Sequence, residues 1–205
     1  MVRFGRIRGS WRRGCDGGPQ ASTRTLDELR SEITMKCPDN APKWLQAAWK
    51  EIGTHEVGNN GGPSVQRYCN LAHCGEQGQP WCAIFANAML ESSGIAGTRS
   101  PASQSFRHDT DFVQLSGPAL GAIAVFWRTS RASGLGHVGF YCGERNGFVW
   151  TLGGNESDMV QIEMLAKQAS TFGLIGYFWP KAVKLPIVGP IMVAANIPSH
   201  QVSVV

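Results

Sequence analysis

The stretch Gln79 to Leu90, "QPWCAIFANAML", decides how the chain is expected to fold. Apolar residues recur at helical spacing on one face, and Gly94 follows as a terminator. That face comprises Ile84, Phe85, Ala88 and Met89. The pattern predicts a core helix with Cys82 in its first turn.

The position of Cys82 favours two readings. Unpaired backbone N–H groups and the positive end of the helix dipole lie at the first turn of a helix, and both favour a thiolate. Free cysteine is also among the most buried residue types. The stretch alone therefore leaves open whether Cys82 is a nucleophile or a small core residue.

The segments around this helix indicate an α+β domain. Before it, Leu45, Ala48, Trp49 and Ile52 form an amphipathic helical pattern that ends at Gly53, and residues 64–71 form a second, shorter helical segment. After Gly117, short β-rich runs occur at 122–127, 137–142, 148–152, 159–162 and 174–179. Helices first and strands later favour an antiparallel sheet.

Two further motifs supply groups that a cysteine nucleophile needs. His137 begins a predicted strand in "GLGHVGFYCG" (134–143), where its imidazole can project into a cleft. Asn155, Glu156 and Asp158 follow another strand in "WTLGGNESD" (150–158). A cysteine–histidine pair requires a third polar group to orient the imidazole, and Asn, Asp or Glu can serve. The same Gly-Gly-Asn segment is also typical of a hairpin turn.

The order of "WCA" (81–83), "GHVGFY" (136–141) and "LGGNESD" (152–158) resembles the CHAP and NlpC/P60 superfamily of cysteine peptidoglycan hydrolases, in particular a phage-associated subgroup. The match extends to residues 41–57 and 173–180. It implies a papain-like fold with N-terminal helices, a nucleophile at a helix N-terminus and an antiparallel sheet that carries the histidine.

The resemblance also implies roles for individual residues. Cys82 corresponds to the nucleophile, His137 to the general base and acid, and Asn155 to the orienting group. Glu156 stands where the subgroup usually has Gln, so either Asn155 or Glu156 can orient the imidazole. Trp81 and Trp127 are candidates for binding glycan or peptide, and core packing is the alternative for both.

No cofactor and no metal are expected. The calcium loop of some CHAP domains has no counterpart in "YCNLAHCGEQGQ" (68–79). A zinc site built from Cys69, His73, Cys74 and Cys82 would not follow the usual ligand spacing.

Three regions are expected within the 205 residues: an Arg- and Gly-rich arm (1–38), the hydrolase domain (39–181) and an apolar tail with prolines (182–205). Residues 1–34 hold seven Arg and four acidic residues, so most of the net charge of +4 comes from the arm. The near-neutral remainder argues against nucleic-acid binding. Met35 also raises the hypothesis that residues 1–34 are absent from the native product.

The expected function is hydrolysis of an amide bond in peptidoglycan, by an amidase or an endopeptidase, in a phage lysin or a virion-associated enzyme. The alternatives are an exported antibacterial amidase toxin and a non-catalytic wall-binding module of the same fold. The sequence predicts neither a signal peptide nor a membrane span. We therefore expect a protein that is made in the cytoplasm and acts on the cell wall after release by a holin, a virion or a dedicated secretion machine. The expected oligomeric state, which no motif specifies, is a monomer.

Overall fold

The structure is a computed structural model, and it describes residues 36–185. The predicted arm and tail lie outside this range apart from residues 36–38 and 182–185. The described part is an α+β arrangement of three α-helices followed by a six-stranded antiparallel sheet. The predicted fold class is confirmed at this level.

The helices come first in the chain. They are α1 (Lys43–Lys50), α2 (Pro63–Ala72) and α3 (Cys82–Ser92), and a short 3₁₀ helix follows at Ser105–Arg107. Pro42 precedes the first residue of α1, and Pro63 opens α2, where the missing N–H of proline costs no helical hydrogen bond.

The sheet has the strand order β1-β6-β2-β3-β4-β5. Its strands are β1 (Phe112–Gln114), β2 (Ile123–Arg128), β3 (Gly136–Arg145), β4 (Phe148–Glu156), β5 (Met159–Ala166) and β6 (Phe172–Pro180). Five of these strands correspond to the predicted β-rich runs. The short β1 has no counterpart among them, because three residues are too few to show an alternating pattern.

Helix α3 lies at the centre of the helical layer, and it is buried on every side from Cys82 to Leu90. It packs against α1 and α2 and against strands β3 and β4. The sequence predicted one apolar face, whereas the surrounding elements bury the whole circumference, as expected of a helix that is apolar all round. Helix α3 is therefore packed against two adjacent strands of the sheet, β3 and β4.

The hairpin between β4 and β5 turns at Ser157 and Asp158, which have φ of 50° and 65°. Two consecutive positive φ values are typical of a type I′ turn, whose twist matches that of the flanking strands. A bulge in the pairing of β4 with β5 lies between Gly153 and Glu156. The bulge sets which side chains at the end of β4 face the helices.

Within residues 36–185, none of the helices has the length and apolar character that crossing a membrane requires.

Candidate functional site

The candidate nucleophile occupies the predicted position. Cys82 is the first residue of α3, and Trp81 is the N-cap residue, whose side chain accepts no hydrogen bond from the helix. Only 6% of Cys82 is exposed. Its side chain forms no hydrogen bond within the described part of the chain. The thiol is thus held at an uncapped helix N-terminus.

Cys82 lines a cleft of about 530 Å³. The lining residues come from three loops and from the ends of α3, β2 and β3: Gln79, Pro80, Cys82, Pro101, Ala102, Ser103, Arg128, Gly134, Leu135 and Gly136. Arg128 is the charged residue among them. Because Gly136 immediately precedes His137, the cleft joins the head of α3 to the start of β3.

The imidazole of His137 is held by a carboxylate. His137 is the second residue of β3, and its Nε2 lies 2.6 Å from Oε1 of Glu156 at the end of β4. Both side chains are buried, with 5% and 3% exposed. The described residues make no other hydrogen bond to the imidazole, so Nδ1 is the nitrogen available for a proton transfer.

The protonation of Glu156 is set mainly by its burial. Burial raises the pKa of this carboxyl from 4.5 to about 7, although hydrogen bonding from Glu163, the positive charge of Arg128 and the nearby Thr151 hydroxyl oppose the rise. A carboxyl oxygen 2.6 Å from Nε2 is suited to accepting the hydrogen bond of an imidazolium when one forms.

Asn155 bonds to a different part of the molecule. Its Nδ2 donates to Oδ1 of Asn60 at 3.1 Å, and the N–H of Asn60 donates to Oε1 of Glu56 at 2.7 Å. The other oxygen of Glu56 accepts a 2.7 Å hydrogen bond from Nε1 of Trp81. Asn155 is thereby linked to the residue that precedes Cys82, and it does not hydrogen-bond to His137.

Of the two residues that the sequence left as candidates for orienting His137, the structure therefore pairs Glu156 with the imidazole. Side chains at the end of a strand normally alternate between its two faces, and the bulge after Gly153 changes this alternation. The sequence could not locate the bulge, so it could not separate the two neighbours.

Both tryptophans that were candidates for substrate binding are buried. Trp81 is 0% exposed, stacks on Tyr68 with ring centroids 5.8 Å apart, and does not line the cleft. Trp127 is also buried, and its Nε1 lies above Gly173. Neither indole offers a face to solvent, and both positions fit core packing, which the sequence left as the alternative to substrate binding.

The glycines of "LGGNESD" leave space for the site. A Cβ at Gly153 would lie 2.8 Å from Oε1 of Glu156, and a Cβ at Gly154 would lie 2.5 Å from Cζ3 of Trp81. Real Cβ atoms do not tolerate such distances from a fixed neighbour. These two glycines therefore let the Glu156 carboxylate and the Trp81 ring pack directly against β4.

Sequence reasoning missed Glu56 and Glu163, which bond to the site residues. Glu163 is the charged residue in the run "MVQIEMLA" of β5, and that isolated charge within an apolar strand was the available signal. Glu56 lies in a loop, where nothing in the local pattern distinguishes it.

The described residues contain no group of three or more His, Cys, Asp and Glu side chains that could hold a metal ion. A scan against models of protein families found no match for the chain, and searches of curated proteins and of solved structures found none either.

Proposed function

We propose that the protein is a cysteine amidase or endopeptidase that cleaves an amide bond in bacterial peptidoglycan, with Cys82 as nucleophile, His137 as general base and acid, and Glu156 as the orienting group. The observation that carries the proposal is the buried 2.6 Å contact between His137 and Glu156, on the two strands against which the Cys82 helix packs.

The first half of the reaction forms a thioester. Nδ1 of His137 takes the proton of Cys82, and the thiolate attacks the carbonyl carbon of the scissile amide. The tetrahedral intermediate collapses when the imidazolium gives its proton to the leaving nitrogen, so that the C–N bond breaks and an amine departs. Glu156 accepts the Nε2–H bond throughout and stabilises the imidazolium.

The second half of the reaction hydrolyses the thioester. His137 takes a proton from a water molecule, and the resulting hydroxide attacks the thioester carbon. The C–S bond breaks, the proton returns to the thiolate, and the carboxylic acid product leaves. The enzyme then has its starting protonation state.

Helix α3 also supplies a hydrogen-bond donor for the oxyanion of the tetrahedral intermediate. The backbone N–H groups of its first turn have no intrahelical acceptor, and the side chain of Trp81 does not cap them. The N–H of Cys82 is therefore suited to donate to the oxygen of the tetrahedral intermediate. One such donor is worth about 3 kcal/mol of transition-state stabilisation.

The substrate class follows from the resemblance of the three sequence motifs to those of peptidoglycan hydrolases. A papain-like arrangement is part of the same proposal, and it is supported by a nucleophile on a helix and a histidine on an antiparallel sheet. Attack at the first amide of the stem peptide would make the protein an amidase, and attack further along would make it an endopeptidase.

The proposal is tested with purified peptidoglycan and the full-length protein. Loss of turbidity is expected for wild type and is expected to be absent for Cys82→Ser. Mass spectrometry of the soluble products identifies the new amino terminus and thereby the bond that is cut. Equal turbidity loss with both proteins, or none with wild type on walls of several chemotypes, would refute the proposal.

A further inference from the structure

A second buried carboxyl group lies behind the pair of His137 and Glu156. Glu163 is on β5 and is only 2% exposed. Its side chain is within hydrogen-bonding reach of Glu156. The proposed reaction assigns no role to Glu163, and a glutamate is almost never this buried unless it has a partner.

The sheet register explains how the two carboxyl groups meet. Glu163 pairs with Thr151 across β4 and β5, and Gly153 follows Thr151 by two residues on the same strand face. The Glu156 carboxylate is folded back over Gly153, since a Cβ there would lie 2.8 Å from its Oε1. Diagonal neighbours of this kind are within reach of long side chains.

The charges around this group do not balance if both carboxyls are ionised. Two adjacent buried carboxylates would face a single imidazole, and Arg128, which is exposed at the cleft, adds only a partly screened positive charge. Tyr141, which pairs with Thr151 in the sheet, and Cys82 at the start of α3 bring no positive charge to this site. His55 lies on the other side of Met159, the residue that pairs with Glu156 in the sheet. Like charges this close and this buried hold a proton between them.

We infer that Glu163 is a positioning residue that keeps its proton and donates it in a hydrogen bond to the Glu156 carboxylate. This inference rests on the proposed function, because it assigns to Glu163 the task of keeping Glu156 an acceptor for Nε2–H of His137. The neutral Glu163 stabilises the ionised form of Glu156 without placing a second negative charge beside the imidazole.

Two variants separate a proton donor from a charged group. Glu163→Gln keeps a donor and removes any charge, so its pH profile of kcat/KM is expected to match that of wild type. Glu163→Leu removes the donor, which raises the pKa of Glu156 further. Its acid limb is expected to move to higher pH by about one unit, with kcat/KM at pH 6 falling about tenfold.

The control for these variants is Gln161→Leu, because Gln161 donates to the backbone oxygen of Glu156 and not to its carboxylate. Its pH profile is expected to be unchanged. If Glu163→Gln shifts the profile as far as Glu163→Leu does, Glu163 acts through a negative charge and the inference is wrong.

A direct measurement keeps the inference testable even if Glu163→Leu does not fold or wild type shows no activity. The protein is labelled with ¹³C at the glutamate carboxyl carbon in the Cys82→Ser background, and Glu163→Gln assigns the resonance. A neutral Glu163 at pH 7 is expected. An ionised Glu163 at that pH would overturn the inference, whereas a neutral Glu163 in a protein without activity would refute the proposed function alone.

Discussion

Asn155 and Glu156 are adjacent in β4, yet their side chains hydrogen-bond to different parts of the molecule, Asn155 to Asn60 in a loop and Glu156 to His137 in the neighbouring strand. One residue therefore stabilises the loop that binds Trp81, and the other holds the imidazole. Substitutions at the two positions should consequently have different effects.

Glu156→Gln is expected to reduce kcat by about 100-fold or more, because a neutral amide does not stabilise the imidazolium as a carboxylate does. Asn155→Ala is expected to retain most activity and to lose about 1 kcal/mol of stability, the usual cost of one hydrogen bond. Initial rates on peptidoglycan and urea unfolding measure the two effects. Activity loss of equal size in both variants would mean that Asn155 also acts on the imidazole.

Cys82→Ser is expected to abolish activity without changing the free energy of unfolding by more than about 0.5 kcal/mol, because the two side chains differ little in size. Cys74→Ser is the matched control. Burial, with Cys69 and Glu91 nearby, raises the pKa of the Cys74 thiol to about 11, so this thiol is protonated at neutral pH. Turbidity assays on both variants test which thiol is required, and Cys74→Ser is expected to remain active. An inactive Cys74→Ser would contradict the assignment of Cys82 as the nucleophile.

The stability of the protein should depend on pH through Glu156. Its pKa rises from 4.5 to about 7 on folding, so the folded state binds this proton more tightly than the unfolded chain does. The corresponding stabilisation is fully present below pH 4.5 and is lost as the pH rises through about 7. Glu156→Gln has no titrating group at this position, so its stability cannot change with pH in this way.

Urea unfolding at pH 5 and pH 8 measures this effect as the difference between wild type and Glu156→Gln, which removes the contribution of other titrating groups. Between the two pH values, wild type is expected to lose more stability than the variant, by up to about 3 kcal/mol. An equal loss in both proteins would show that Glu156 is ionised over the whole range.

Gly154→Ala should destabilise the protein, because the added Cβ would lie 2.5 Å from the Trp81 ring and 2.6 Å from Cβ of Phe85. The expected cost is about 1 to 3 kcal/mol, as for other overpacked cores. Gly117→Ala is the control, since its Cβ would meet nothing within 4 Å. Thermal unfolding of both variants checks the prediction, and equal melting temperatures would contradict it.

The elements that hold the site were largely predictable from the sequence. The predicted helix with Cys82 in its first turn is confirmed, and so is the predicted strand that carries His137. Both predictions depend on local signals, namely the apolar spacing after Cys82 and the β-rich run after Gly136. Local signals of this kind specify an element without reference to its neighbours.

The contacts of the site were less predictable, because they depend on register and packing. The pairing of Glu163 with Thr151 requires the alignment of β4 with β5, and the bond of Trp81 to Glu56 joins a helix to a distant loop. Neither contact leaves a periodic trace in the sequence. The sequence showed that Glu156 stands where the resembling subgroup has Gln, but it did not show that Glu156 pairs with His137.

The thiol is carried by a helix and the imidazole by a sheet, and this helix, α3, packs on β3, which carries His137, and on β4. A chain with all its secondary structure formed but with α3 undocked would contain both side chains, but the Cys82 thiol would not be held near the His137 imidazole. The proposed activity therefore depends on the docking of one helix. Under mild denaturation, the proposed activity is expected to be lost together with the near-ultraviolet circular dichroism of the packed aromatic rings. Both are expected to be lost before the helical content falls.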